Sequence, residues 1–391
     1  MFRINYDHYQ TNLLETSNWM DKKTIDALNK SWAVIFYNEI FCNIDERLFA
    51  ELYDTENGRP NVPVNVMLGL HYIQHMFNYT DDEILEQFNF NYLVSYALGI
   101  RKLGSFTFAR STFYDFRKKI YLFKERHPEK VDMINQQFNS LFKKFVYKAE
   151  VDTTLQRTDS TSVIPNIAKA GRTALAYDVL RNALNVIPIE ILPESIRMAT
   201  TPDFKKSILY KVKPAEKETK FEAIINLCGE LLSFIKSHED IDDTLPEIII
   251  LERFLNEQTT IENDKYVPKK PTEIPSSSLQ SAYDQDATFR NKAGKKESGY
   301  VLNIAETCSK DNEIQLISDY SLEQNNKSDV EIIKDRLPEI KETGCKEMFA
   351  DGAYYSKDNG NEENIDFNYT DMTGKAANEN KISVLEFQID K

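Results

Sequence analysis

Two aspartates have the setting in which carboxylate chemistry is expected. Asp159 stands in Gln156-Arg157-Thr158-Asp159-Ser160-Thr161, part of a Thr/Ser/Val-rich run, 155–164, that reads as a strand. Asp is disfavoured in strands, so its presence there needs a reason. Asp351 follows the apolar strand end Met348-Phe349-Ala350, and Gly352 beside it permits a sharp turn. Two facing carboxylates suit hard divalent cations, which take oxygen ligands and keep several waters. A pair of such ions, about 3.5–4 Å apart, clamps both oxygens of an in-line phosphoryl displacement. The plainer alternatives are an Asp159 that caps a turn and an Asp351-Gly352 that only turns the chain. The other candidates are weaker. His71 and His75 are spaced i, i+4, but His-Tyr-Ile-Gln-His lacks the Glu of a zinc-protease helix and reads as two helix-face histidines. Cys42, Cys228, Cys308 and Cys345 form no CxxC pair and read as free thiols of a reducing compartment.

The elements around the two acids follow an order. After the 155–164 strand come strands at 299–307 and 313–322, joined by the polar turn 309–312 into a hairpin. An amphipathic helix follows at 328–342 and a strand at 345–350, with Asp351 just past its end. A short helix at 356–363, a strand at 366–370 and a possible strand at 382–388 complete the chain. This is the β-β-β-α-β-α-β order of an RNase H-like core, interrupted after its first strand. In that layout the first and fourth strands are neighbours, so acids 192 positions apart meet. The fold class expected is α/β (α+β overall): a helical N-terminal domain at 1–149, a mixed-sheet core at 150–164 and 282–391, and a helical insertion and linker at 165–281. Residues 266–281, with three prolines and four serines, read as linker or surface loop.

The N-terminal part reads as helices. They are expected over 24–36 and 37–53, over 64–77 opened by Pro63, and from Thr80, whose Thr-Asp-Asp-Glu makes a capping box. Further helices are expected over 113–123, capped by Ser111-Thr112, and from Pro128 to about Tyr147. The chain of 391 residues carries a net charge of −14, which argues against a nucleic-acid partner. Yet positions 101–149 hold twelve Lys/Arg against four Asp/Glu, so the rest carries −22 and one segment is spared. No run of eighteen apolar residues and no signal peptide occur, so a cytoplasmic location is expected.

Several segments resemble a family. Gln-Arg-Thr-Asp-Ser-Thr-Ser-Val-Ile-Pro-Asn-Ile resembles the first-acid motif of bacterial insertion-sequence transposases of the acid-triad (DDE) class. Phe-Ala-Asp-Gly-Ala-Tyr-Tyr-Ser-Lys-Asp-Asn resembles their second-acid motif, and residues 283–300 are similar to a segment that precedes the second core strand in one branch. Pro-Val-Asn-Val-Met-Leu-Gly-Leu, Tyr-Thr-Asp-Asp-Glu-Ile-Leu-Glu-Gln, Ala-Leu-Gly-Ile and Arg-Ser-Thr-Phe-Tyr-Asp-Phe-Arg resemble their helical N-terminal domain. The resemblance spans about 55–125 and 150–375. It implies that Asp159 and Asp351 are the first two catalytic, metal-binding acids, with Mg²⁺ or Mn²⁺, two ions, as cofactor. It implies a third acid, a Glu on a helix well past the Thr370-Asp371-Met372-Thr373-Gly374 segment. Glu379 and Glu386 are available there, but neither matches the motif, so the third acid is unassigned and a truncated or split reading frame is the expectation.

The partner implied is double-stranded DNA, at element ends and target, gripped by a homo-oligomer because two ends must be paired. Arg110, Arg117, Lys118 and Lys119 flank Phe113, Tyr114 and Phe116. Cations on such a helix would neutralise phosphates while the aromatics pack behind. The plain reading is a solvated face over a core stripe. Arg290, Lys292, Lys295 and Lys296 form a second basic patch, read as a loop that guides a strand toward the metals or as an ordinary solvated loop. Three functions follow: a transposase that cuts and joins DNA, a catalytically inactive DNA-binding remnant of one, and a metal-dependent nuclease.

Overall fold

The computed structural model describes residues 1–10, 13–54, 58–163, 171–210, 216–238, 240–263, 265–292, 295–356 and 364–370. The chain divides into two compact units, Met1–Val151 and Asp152–Lys391.

The first unit is helical. Helix α1, Lys22–Asn29, is capped by Asp21, whose carboxylate accepts from the Thr24 amide at 2.9 Å. Helix α2, Trp32–Glu39, is separate, so the single helix expected over 24–36 is broken at Lys30-Ser31. The chain then tightens into 3-10 turns at Phe41–Asn43 and Glu46–Leu52 instead of one helix. Helices α3, Val64–Phe77, and α4, Asp81–Phe90, follow as expected, the second with its Thr80/Glu83 capping box formed. Asn78, at φ 54°, ends α3 in the left-handed conformation that Asn tolerates. Helix α5 is Tyr92–Ala97. Helix α6, Arg110–Arg126, begins before the Ser111-Thr112 cap expected for it. There Arg110 reaches Tyr114 one turn on, at 2.9 Å, and supports the first turn. Helix α7, Met133–Lys148, begins five residues later than Pro128. Asp132 is its cap, accepting from the Ile134 and Asn135 amides.

Helix α3 is the axis of this unit. Ten of its residues are buried, so it is covered on most sides rather than on one stripe. Its buried polar residues are paired: Asn65 with Asn5 and Glu46, Gln74 with His71 and Asp81. His71 stacks on Phe113 with ring centroids 4.2 Å apart, while His75 is exposed, so the two do not form a metal pair. Burial, with a small contribution from Arg117, pulls the His71 pKa down to about 4. An unfolded His titrates near 6.5. The native state therefore binds its proton less readily, and stability is full above about pH 6.5 and falls between there and about 4. The loss expected is roughly 3 kcal/mol by the acid end of that window. Thermal melts of the wild type and His71→Leu from pH 4 to 7 read it; equal pH dependence in both would disprove it.

The second unit holds a mixed sheet and a separate helical core. Strand β1 is Leu155–Val163. Helices α8 (Arg172–Asn185), α9 (Glu194–Arg197), α10 (Pro202–Leu209), α11 (Lys217–Lys236) and α12 (Pro246–Gln258) follow. A two-stranded hairpin, β2 (Thr259–Glu262) with β3 (Lys265–Pro268), comes next. The stretch expected to be linker is packed at two points: Leu279 is buried in the core of α8, α11 and α12, and Tyr266 packs against it. The prolines and the serine run that suggested a linker lie between these two anchors.

The chain then enters the sheet through β4 (Thr288–Lys292), β5 (Lys295–Thr307) and β6 (Ile317–Gln324). Helix α13, Asp329–Glu342, has a Ser328/Glu331 capping box. Strands β7 (Glu347–Asp351) and β8 (Asp366–Thr370) close the described chain. The strand order is β4-β5-β1-β7-β8, with β6 also on β5. Strands β5 and β1 are antiparallel, whereas β1, β7 and β8 are parallel. The expected adjacency of the first and fourth core strands is thus present as β1 beside β7. Residues 357–363, most of the short helix expected there, and 382–388 lie outside the described residues.

Side chains alternate across this sheet. Gln156 and Thr158 of β1 and Met348 and Ala350 of β7 are buried; Arg157, Asp159 and Asp351 are exposed. Ile333, Leu337 and Ile340 of α13 pack with Met348 and Ala350, and this buried layer holds the strands in register. Each such side chain contributes about 1.5–3 kcal/mol.

Candidate carboxylate site on the mixed sheet

Strand β1 carries Asp159, whose Cα partner across the antiparallel ladder is Ile304 of β5. Strand β7 ends on Asp351, which also caps the 3-10 turn Gly352–Tyr354 through a bond from the Ala353 amide at 2.8 Å. The parallel ladder pairs Leu155 with Glu347 and Arg157 with Phe349. The ladder ends at that pair; its register, continued two residues, would set Asp159 level with Asp351. Equal parity puts both on one face, and both are exposed. One Asp159 oxygen accepts from the Ser160 amide at 2.7 Å. On the same face Arg157 pairs with Glu306 at 2.5 Å.

The opposite face is polar and buried just behind the acids. Thr158 donates to the Ile304 carbonyl at 3.2 Å. The Ser160 hydroxyl donates to Asp329 Oδ1 at 2.8 Å, and Asp329 is buried at the start of α13. Tyr354, 1% exposed, donates its hydroxyl to Asn303 Oδ1 of β5 at 2.7 Å. Burial pushes the Tyr354 pKa far above the ordinary tyrosine range, so the hydroxyl keeps its proton. Sequence reading missed these residues. Tyr354 stands three positions past Asp351, and that spacing was the available signal; Asp329 reads only as an acid in a helix first turn.

The carboxylates fit a hard cation as a pair of oxygen donors. Among the described residues, no group of three or more His, Cys, Asp or Glu is placed to hold a metal ion. Positions 379 and 386 lie outside those residues.

Several of the basic residues have partners that the sequence did not reveal. Arg290 lies on strand β4, not in a loop, with its guanidinium 3.8 Å from Asp329. In the backbone register of the β4-β5 hairpin Lys292 stands opposite Lys295, and Asn291 opposite Lys296. In the helical unit, Arg110 pairs with Asp82 at 2.7 Å and Arg117 grips Asp81 with two bonds, at 2.7 and 3.2 Å. The Arg117 bonds hold the Asp81 pKa below the ordinary carboxylate range. Lys119 sits 4.6 Å from the centroid of the Tyr53 ring. Lys118 is exposed, and among the described residues no carboxylate pairs with it. Phe113 and Phe116 are buried as expected; Tyr114 stays at the surface beside Arg110 and Arg117. Exposed ion pairs contribute only about 0–1 kcal/mol, so a phosphate competes readily for these arginines.

Among the described residues, no helix is long and apolar enough to cross a membrane. No curated protein and no solved structure matches the chain. Residues 24–119, from α1 into α6, match the family described as Transposase domain (DUF772), and this match supports a transposase.

Proposed function

We propose that the chain is a transposase of the acid-triad class. It would bind the ends of an insertion element and cut and join DNA strands by divalent-cation-dependent phosphoryl transfer. The observation that carries this reading is the parallel β1-β7 ladder, whose register, continued two residues past Arg157 and Phe349, would bring Asp159 level with Asp351, both of them exposed. The transposase-domain match of the helical unit supports the same conclusion. The strand order β6-β5-β1-β7-β8 supports an RNase H-like core.

Asp159 and Asp351 would hold Mg²⁺ or Mn²⁺. When bound, a pair of ions neutralises charge on the phosphate and lowers the pKa of the attacking water or 3′-hydroxyl. Arg290, with Lys292 and Lys295 on the same hairpin, would steer the substrate strand. Arg110, Arg117, Lys118 and Lys119 of α6 would grip duplex phosphates, with DNA exchanging for Asp82 and Asp81. Pairing two DNA ends calls for at least a dimer.

Plasmid nicking by the full chain with and without Mg²⁺ or Mn²⁺, alongside DNA affinity by gel shift, tests the proposal. Cation-dependent nicking with joining of labelled ends is expected. Nicking without joining would favour a nuclease, and DNA binding without nicking would favour a DNA-binding protein without this chemistry. For α6 the expected result is narrower. Lys118→Gln lowers the slope of log affinity against log salt by about 1, uniformly across DNA sequences. An unchanged slope would remove Lys118 from the DNA surface.

A further inference from the structure

We propose that Tyr354 is a positioning residue for the carboxylate pair, its buried hydroxyl locking the turn that Asp351 opens to the strand that carries Asp159. This rests on the reading of Asp159 and Asp351 as cation ligands. The turn Gly352–Tyr354 and Asp351 are one unit, because the Asp351 carboxylate accepts from the Ala353 amide inside it. Tyr354 is the last residue of that turn and reaches back under the sheet. Its hydroxyl bonds Asn303 Oδ1 at 2.7 Å. Asn303 is fully buried on β5 and is the ladder partner of Ser160, the neighbour of Asp159. Thr158, the other neighbour, brings its hydroxyl to the same Asn303 oxygen at 3.3 Å. Strand β1 lies between β5 and β7. The Tyr354–Asn303 bond therefore spans from the β7 turn to β5 across β1, behind Asp159.

The chemistry of Asn303 points the same way. Its Nδ2 is buried without a hydrogen-bond partner, a state that costs about 1–3 kcal/mol. The oxygen of that amide is engaged, by the Tyr354 hydroxyl at 2.7 Å and with Thr158 Oγ1 3.3 Å away. A tyrosine that merely filled the core would need no hydroxyl, since Phe has nearly the same shape. Partners that orient metal ligands from behind change metal affinity by roughly 10–100-fold when removed.

The test is Mn²⁺ binding to the full chain, by calorimetry, with thermal melts of each variant. Tyr354→Phe is expected to weaken Mn²⁺ binding about 10-fold while keeping a cooperative melt. Asn303→Leu, which removes the acceptor from the other side, is expected to do the same, and the double variant to bind no worse than either single one. Should one variant fail to fold, the other still decides. If Asp159→Asn and Asp351→Asn abolish Mn²⁺ binding but Tyr354→Phe and Asn303→Leu bind as the wild type does, the positioning role is overturned and the carboxylate site stands. If the two aspartate variants bind Mn²⁺ normally, the carboxylate site itself falls, and Tyr354 with it.

Discussion

Asp159→Asn and Asp351→Asn are each expected to lower cation-dependent strand cleavage by about 10³-fold or more while leaving DNA affinity intact. Asn keeps the volume and the hydrogen-bonding oxygen but removes the charge that holds a hard cation. Losing several kcal/mol of charge stabilisation translates into that factor at 1.36 kcal/mol per tenfold. The control is Asp366→Asn. Asp366 is exposed and stands level with Glu347 on the neighbouring strand β8. It removes the same charge four residues down the strand from Asp351's level and is expected to leave the rate within about twofold. Cleavage by either the Asp159 or the Asp351 variant within tenfold of the wild type would end the proposal. So would an equal loss from the Asp366 control, since a general charge effect would then suffice.

The largest stability effect is expected from Arg336→Ala. Arg336 of α13 holds Asp319 of β6 with two bonds, at 3.0 and 2.5 Å, and Asp319 is 1% exposed. That contact raises the Arg336 pKa further, so the cation is permanent. Removing one partner of a buried pair leaves an uncompensated charge and costs about 3–5 kcal/mol. For a unit of this size that corresponds to a fall in Tm of roughly 10 °C. The double variant Arg336→Leu with Asp319→Leu is expected to recover most of the loss, because apolar replacement of a buried pair is often close to neutral. A Tm drop under about 2 °C for Arg336→Ala would show that the pair is not a structural tie. Helix α13 carries Asp329 at its start, so the same variant also loosens the support behind Ser160.

Local signals were legible where local physics decides. The Thr80 capping box and the Asp366–Thr370 strand have the expected bounds, because side-chain to backbone bonds and two-residue alternation act over a few positions. The misread starts of α6 and α7 have the same explanation. Ser111-Thr112 and Pro128 were the local start signals, but Arg110–Tyr114 and Asp132 supplied the interactions that won. The stretch 266–281 misled because its composition outweighed two apolar residues whose partners are some twenty to a hundred positions away.

By itself the sequence determined which residues have the chemistry: two acids at strand positions, a cation-rich helix and the order of elements that follows each. Only the tertiary structure decided who their neighbours are. Strands β1 and β7, which carry Asp159 and Asp351, lie side by side because a parallel ladder aligns segments far apart in the chain. Tyr354 meets Asn303, Arg290 meets Asp329, and Arg117 meets Asp81 for the same reason. Side-chain identity is written residue by residue, whereas hydrogen-bond and ion-pair partners across strands and helices are chosen by register and packing, which local sequence patterns do not encode.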